Sequence, residues 1–328
     1  PEHIVLQTVS ACNLSCEHCF ITYYGDEIKD GKIKILTYKE FTKLLKPLEQ
    51  SISKTKYFQF STFEPLMHKH IFNMMDDVLK INSEVLFPIH TNGQIISKTL
   101  IDKLIKYPIS EVTISLDGIN KNTVESFKTG ASFEKIVKAI RLFTQTDLSK
   151  NLGTVFVLHK NNYLELLDYI DYVNNLGVKK IYVNNLLSFT NRHQSDYLYS
   201  DENNNEINDI FDAAIDKVKK NKQIIYLPKM KPKPMGCTTS EMLHIDINGN
   251  VSPCDFLAVS TPFHFLGENK TATPVFFGNI NNENPIDIYK SNKYEKFRSM
   301  HRKGEIPEQC SHCIDAYGLM CSNRMVYP

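Results

Sequence analysis

The chemistry of this chain is concentrated in eight cysteines: Cys12, Cys16, Cys19, Cys237, Cys254, Cys310, Cys313 and Cys321. The first three form the run Cys12-Asn-Leu-Ser-Cys16-Glu-His-Cys19. Three thiolates on one short loop can hold three corners of a cubane iron–sulfur cluster. The fourth iron stays open, as suits a cluster that must bind a ligand. A structural zinc site would take four ligands, usually as two pairs, and His18 is awkwardly placed as a fourth beside Cys19. A zinc knuckle or plain buried thiols are the simpler alternatives. Far downstream, the Asn248-Gly249-Asn250 turn lies between apolar alternations and predicts a β-hairpin that returns Cys254 toward Cys237. With the Cys310-x2-Cys313 pair these make a four-thiolate site, for zinc or for a [4Fe–4S] cluster. Cys321 then has no obvious seat. It is an alternative ligand, most plainly in place of Cys313, or a buried thiol.

These residues need a scaffold to position them. The chain has 328 residues, 42% hydrophobic and 23% charged, enough for a sizeable core and unlike a disordered chain. Thirty-eight basic against 37 acidic side chains leave a net charge of +1, with no global signature of nucleic-acid or acidic-membrane binding. No apolar run approaches the roughly 20 residues of a membrane span. No signal segment opens the chain, so a cytoplasmic location is expected, where clustered thiols hold metal rather than disulfides. Six apolar runs read as strands: Ile4–Val9, Tyr57–Ser61, Val85–Thr91, Val112–Ser115, Thr154–Leu158 and Ile181–Val183. Pro88 argues against the third. Helices lie between them. One starts at Thr37, with Glu40 completing a capping box. Another carries Phe133, Ile136, Val137, Ile140 and Phe143 on one face. A third carries Tyr163, Leu166, Leu167, Ile170 and Val173 and is entered through Asn162 and Glu165. Such alternation predicts an α/β fold with a parallel sheet, open or rolled into part of a barrel. Beyond it, Asp201–Lys220 reads as a polar helix, Pro228–Pro234 as a stiff basic boundary, and Ile286–Lys290 as a short helix. The cysteine-rich remainder looks too thin in apolar residues for a core of its own, so metal ligation would supply stability.

The Cys12/Cys16/Cys19 spacing after a first strand resembles that of the radical S-adenosylmethionine (radical SAM) enzymes, and further motifs follow in order. Ser61-Thr62-Phe63-Glu64-Pro65 ends the second strand where that family carries Gly-Gly-Glu-Pro. Thr91-Asn92-Gly93 ends the third, Ser115-Leu116-Asp117-Gly118 the fourth, and Val157-Leu158-His159 the fifth. The resemblance implies a partial (β/α)6 TIM-like barrel followed by a small cysteine-rich module. The boundaries are 1–200 for the core, 201–235 for a helical linker and 236–328 for the module. It also implies S-adenosylmethionine (SAM) bound on the open iron of a catalytic [4Fe–4S] cluster. Glu64, Thr62 and Asn92 would lie around the methionine end, Ser115 and Asp117 at the ribose, Leu158 at the adenine, and His18 beside the cluster. The simpler alternatives are plain turns at Asn92-Gly93 and Asp117-Gly118 and a surface carboxylate at Glu64. Cys237-x11-Gly249-x4-Cys254 with Cys310-x2-Cys313 resembles the SPASM and shorter "twitch" modules, which bind auxiliary [4Fe–4S] clusters. Five cysteines against the seven of a full SPASM module favour one auxiliary cluster.

The resemblance implies an oxidoreductase in which a 5′-deoxyadenosyl radical removes hydrogen from a substrate. The substrate is a small molecule (a sugar, cyclitol or amino-acid-like compound) or a short peptide, giving oxidation or epimerisation. Weak support for this class comes from the lack of room for a peptide-recognition domain before the first strand. A ribosomal-peptide maturase forming a crosslink or thioether is the alternative within the family. A zinc-binding module for nucleic acid or protein is the alternative from another class. A flavodoxin or ferredoxin is the expected electron donor, and no nucleic-acid or membrane partner is expected. In such an enzyme Cys321 has one further possible role, as hydrogen-atom donor to a substrate radical.

Overall fold

The computed structural model describes residues 1–16, 18–20, 35–189, 193–320 and 325–327. All six expected strands form: β1 (His3–Leu6), β2 (Tyr57–Phe60), β3 (Phe87–Thr91), β4 (Ile109–Ser115), β5 (Leu152–Leu158) and β6 (Lys180–Asn185). A seventh, β7 (Ile224–Leu227), extends the sheet in parallel beside β6. The pairs β1–β2 and β3 through β7 run parallel. A parallel bridge between Tyr57 and Leu86 joins β2 to the approach of β3. The result is one curved parallel wall, a partial barrel. Pro88 is accommodated because the β3–β4 register shifts between Phe87 and Pro88, so its missing N–H breaks no regular ladder.

Helices α1 (Tyr38–Ile52), α2 (Ile71–Ile81), α3 (Lys98–Leu104), α4 (Lys121–Phe127), α5 (Phe133–Thr144), α6 (Leu166–Asn175) and α7 (Asn205–Asn221) connect the strands. The expected capping box holds α1: the Glu40 N–H donates to Thr37 Oγ1, and the Thr37 N–H to the Glu40 carboxylate at 2.8 Å. The α6 entry is as expected: Asn162 precedes a short 3-10 turn, Tyr163–Glu165, and Glu165 precedes α6, though neither side chain caps the helix. Asn162 Oδ1 accepts the His159 N–H at 2.8 Å, and its amide donates to the Asp117 and Val157 carbonyls at 2.9 and 2.8 Å. Glu165 accepts from the Ile119 N–H at 3.0 Å, tying α6 to the start of α4. Phe41, Phe58, Phe87, Phe143, Phe156 and Tyr169 fill the core between helices and sheet, all fully buried.

The C-terminal region does not stand apart. Strands β8 (Leu243–Ile245) and β9 (Asn250–Ser252) form the expected hairpin around Gly249. β8 pairs in parallel with β1, register Ile4 to Leu243 and Leu6 to Ile245. The strand pair β10 (Thr261–Phe265) and β11 (Glu268–Ala272), the short strand β12 (Gly278–Asn279), and helices α8 (Pro285–Lys290) and α9 (Asn292–Arg302) complete it. Its apolar residues, among them Leu243, Ile245, Phe263 and Ile314, belong to the same buried cluster as the barrel, so the expected shortage of core is met by sharing one. The basic segment after β7 is stitched to it, with Lys229, Lys233 and Met235 N–H groups donating to the Gly318, Tyr317 and Ala316 carbonyls. A final strand, β13 (Met325–Tyr327), pairs antiparallel with β7. Among the described residues no helix is long and apolar enough to cross a membrane.

Truncation after Met235 therefore removes the partner of β1 and exposes a strand edge whose Ile4, Val5 and Leu6 are buried. We expect residues 1–235 expressed alone to aggregate, and recovery of a soluble, folded monomer on size-exclusion chromatography would contradict this.

Candidate active site and auxiliary cysteine site

Because β1 to β5 are parallel, the loops that follow them open at one edge, the place where such folds collect chemistry. The cysteine loop follows β1. Leu14 N–H donates to Cys12 Sγ at 3.4 Å, and the loop is anchored by the Ser15 N–H on the Thr129 carbonyl at 3.1 Å. Cys12, Cys16 and Cys19 are half-buried and free of disulfides. Burial pushes the Cys16 thiol up to about 12, Lys128 opposes this, and the Cys19 and Cys12 thiols add to it. Thiols gathered in this way favour a cationic centre that keeps them deprotonated.

After β2 the chain turns at Ser61, which takes a left-handed φ of 64°. Its hydroxyl donates to the Val9 carbonyl at 2.7 Å and accepts the Phe63 N–H at 3.2 Å. The strained position is thus Ser61 and neither Thr62 nor Phe63, which is why glycine is not required at those two. Glu64 is buried. It accepts from the Thr91 hydroxyl at 3.0 Å and the Asn92 N–H at 2.8 Å, both on the turn after β3. Burial raises its carboxyl to about 7 against the pull of these donors. The Asn92 amide reaches across to Cys12 Sγ at 3.4 Å and to Asn13 at 2.8 Å, so Asn92 alone bridges Glu64 and the cysteine loop.

The turn after β4 shows what sequence reasoning missed. Asp117 is fully buried; one oxygen accepts the Val157 N–H at 2.8 Å and the other meets Lys128 Nζ at 2.8 Å. Lys128 also donates to Ser115 Oγ at 2.5 Å, and it is the buried lysine among the described residues. A ribose hydroxyl at Asp117 would thus share its oxygens with the Val157 N–H and the Lys128 ammonium. Leu158 closes β5 and is buried. Next to it, His159, Phe127 and His18 form a stack with centroid spacings of 4.0 and 3.8 Å. Burial drops His18 to about 3, so it is neutral, and its Nδ1 and the His159 Nε2 are buried without hydrogen-bond partners. Such orphaned atoms beside a buried cation and a buried carboxylate fit a zwitterionic, heteroaromatic ligand such as SAM.

The second cysteine set, Cys237, Cys254, Cys310 and Cys313, lines a cavity of about 240 Å³ together with Gln59, Thr62 and other residues. Gly236 delivers Cys237 at φ +77°, and a Cβ there would lie 1.9 Å from the His301 carbonyl. Burial raises all four thiols, and neighbouring acids and cysteines add to this for most of them; Cys313 reaches about 12. Four thiols lining one cavity of this size have room for a cluster of several irons. Beside Cys254, Asp255 meets His244 Nε2 at 2.6 Å and Gln7 Nε2 at 2.5 Å, and Gln7 donates on to Thr62 at 3.0 Å. Burial alone would raise Asp255, but His244 holds it below the usual carboxylate value. Cys321 lies outside the described residues.

The sequence pattern of the radical SAM superfamily matches residues 6–173, just over half of the chain. The chain belongs to the radical SAM superfamily. An iron–sulfur cluster-binding SPASM domain matches residues 237–314. This radical SAM chain is 26% identical over 327 residues to a Pyrococcus furiosus tungsten-containing aldehyde ferredoxin oxidoreductase cofactor-modifying protein, covering 95% of the chain and 87% of the relative. It shares its fold with anSMEcpe bound to AdoMet and the Cp18Cys peptide (TM-score 0.66, 18% identity, 98% and 88% coverage). It also shares it with BtrN in complex with AdoMet and 2-DOIA (TM-score 0.51, 15% identity, 92% and 87% coverage). Membership means an enzyme that uses SAM and a [4Fe–4S] cluster, here with a SPASM module for auxiliary cluster binding.

Because the Asp117–Lys128 pair is out of water, Lys128→Met leaves a buried carboxylate uncompensated and should cost about 3–5 kcal/mol. Denaturant unfolding tests this, and Lys128→Met with Asp117→Asn should recover part of the loss; equal losses in the single and double variants would contradict the assignment.

Proposed function

We propose that the chain is a radical SAM oxidoreductase that removes hydrogen from a small molecule or short peptide, with oxidation or epimerisation as outcome. The observation that carries this is the single cavity joining the four-cysteine set to Thr62, two residues from Glu64. In this reading a substrate against the Thr62 wall of that cavity has the auxiliary cysteines beside it and Glu64 two residues along the chain, which suits transfer of a hydrogen atom at one site and of an electron at the other. Bound SAM and a reduced [4Fe–4S] cluster supply a 5′-deoxyadenosyl radical. In this reading Cys12, Cys16 and Cys19 hold the catalytic cluster, while Cys237, Cys254, Cys310 and Cys313 hold one auxiliary [4Fe–4S] cluster. Glu64 takes the methionine ammonium, and Lys128, oriented by Asp117, faces its carboxylate. Ser115 addresses the ribose, and His18 with Leu158 borders the adenine. The core, the 201–235 segment and the module from 236 divide these tasks. A flavodoxin or ferredoxin supplies the electrons. Peptide crosslinking is the second reading, supported by the peptide named in the anSMEcpe structure.

Replacing Cys12, Cys16 and Cys19 together by Ala should abolish 5′-deoxyadenosine formation while leaving about four irons per chain, the content of one cubane, at the auxiliary site. Continued 5′-deoxyadenosine formation by that variant would overturn the assignment.

Glu64 adds a pH signature. Its raised carboxyl is protonated below about pH 7 in the free protein, yet an ammonium is paired only by the ionised form. Affinity for SAM should fall by up to about tenfold per pH unit below 7, and calorimetry should show a proton released on binding. In Glu64→Gln both the slope and the proton release should vanish; a slope unchanged in that variant would remove Glu64 from the site.

A further inference from the structure

A group of phenylalanines lies between the two cysteine sites, and the reaction chemistry above does not use it. Phe20 directly follows Cys19, Phe63 directly precedes Glu64, and Phe256 is two residues beyond Cys254. The loops of three distant segments therefore bring one ring each to the same place. The Phe20 ring lies 5.3 Å from Phe63, tilted by 35°, and 4.9 Å from Phe256 at 74°, edge to face. Phe189 and Phe263 back them at 5.8–6.2 Å from Phe20 or Phe256 and are buried. The three front rings are only half-buried, and Phe256 faces the cavity that holds Cys254. Phe63 is also a departure in itself: a bulky ring stands where the family motif has a glycine, at a backbone position that is not left-handed.

We propose that Phe20, Phe63 and Phe256 form the seat of a flat aromatic group on the substrate, held between the Cys12/Cys16/Cys19 loop and the auxiliary cysteines. This deepens the proposed function and rests on it. Three properties of the seat argue for an aromatic occupant. Its rings are mutually tilted, so a flat ring can meet the face of one and the edge of another. None of its five members carries a charge or a hydrogen-bonding group, so a sugar hydroxyl would lose its water there without replacement. The backing rings hold the front three in place, so little ordering entropy is lost on binding. The polar contacts lie on another wall of the cleft, where Gln7, Thr62 and Asp255 form a chain that can take the polar end of the same molecule.

The chain contains no tryptophan, so an indole probe is visible against a dark background. The holoenzyme, reconstituted with iron and sulfide and saturated with SAM, is titrated with N-acetyl-tryptophanamide. N-acetyl-leucinamide serves as the aliphatic control in equilibrium dialysis. Saturable binding of the indole, with blue-shifted emission and a clear preference over the leucine compound, is expected. Phe256→Leu and Phe63→Leu, which keep bulk and lose the ring, should each weaken it by about two- to tenfold. Phe256→Tyr should restore it. A pentapeptide with tryptophan at its centre separates the two sources of the ring: tighter binding than the free amide assigns a peptide, weaker binding a small molecule, and either supports the seat. No preference for indole over leucine, or full binding in both Leu variants, overturns the proposal. The underlying reading is tested separately, by 5′-deoxyadenosine formation in the wild-type holoenzyme with dithionite. Its failure is thus distinguishable from failure of the aromatic seat.

Discussion

The pairing of β1 with β8 is the constraint on which the rest of the structure depends. β1 runs directly into the Cys12/Cys16/Cys19 loop, and β8 lies between Cys237 and Cys254. Three residue pairs, from Ile4–Leu243 to Leu6–Ile245, therefore set the relation of the two cysteine sites. The Gln7 N–H on the Ile245 carbonyl at 2.9 Å continues the ladder, and its side chain bridges Thr62 and Asp255. The main-chain hydrogen bonds of this shared sheet tie the strand that enters the first cysteine loop to the hairpin that leads to Cys254. A flexible linker between separate domains would not supply that tie.

The electrostatics follow from the same burial. Each cysteine set gathers thiols that burial and mutual repulsion hold protonated, and a cationic cluster reverses that preference. Around the first set the protein places one buried cation, Lys128, and one raised carboxyl, Glu64, on different loops. Lys128 is balanced by Asp117, and Glu64 by the donors of Thr91 and Asn92, so both groups are held in place in the free protein.

Local signals were the legible ones. The capping box at Thr37 and Glu40, the hairpin turn at Gly249, the face of α5 and the C-terminal position of every motif all follow from spacings of a few residues. The features that the sequence did not disclose are long-range. Gln7 and Asp255 are 248 residues apart, and Lys128 reads as one surface lysine among many until Asp117 is seen beside it. β7 was hidden because its four residues lie between lysine-rich stretches, and its strand character comes from β6. The three front phenylalanines sit on three loops with no periodicity to link them. Asn162 enters the turn before α6 as its local position suggests, but the bond from its amide to the Asp117 carbonyl, 45 residues away, is invisible in local spacing.

The shared strand also bears on how the protein is made. β1 leaves the ribosome before its β8 partner, since Ile4 precedes Leu243 by 239 residues (243 − 4). At roughly 5–20 residues per second, β1 waits on the order of ten seconds or more with one edge unpaired. A long-range strand pair of this kind slows folding through its high contact order. Here the same wait separates the moments at which the two cysteine sets, one just after β1 and the other on either side of β8 and beyond, are complete on the growing chain.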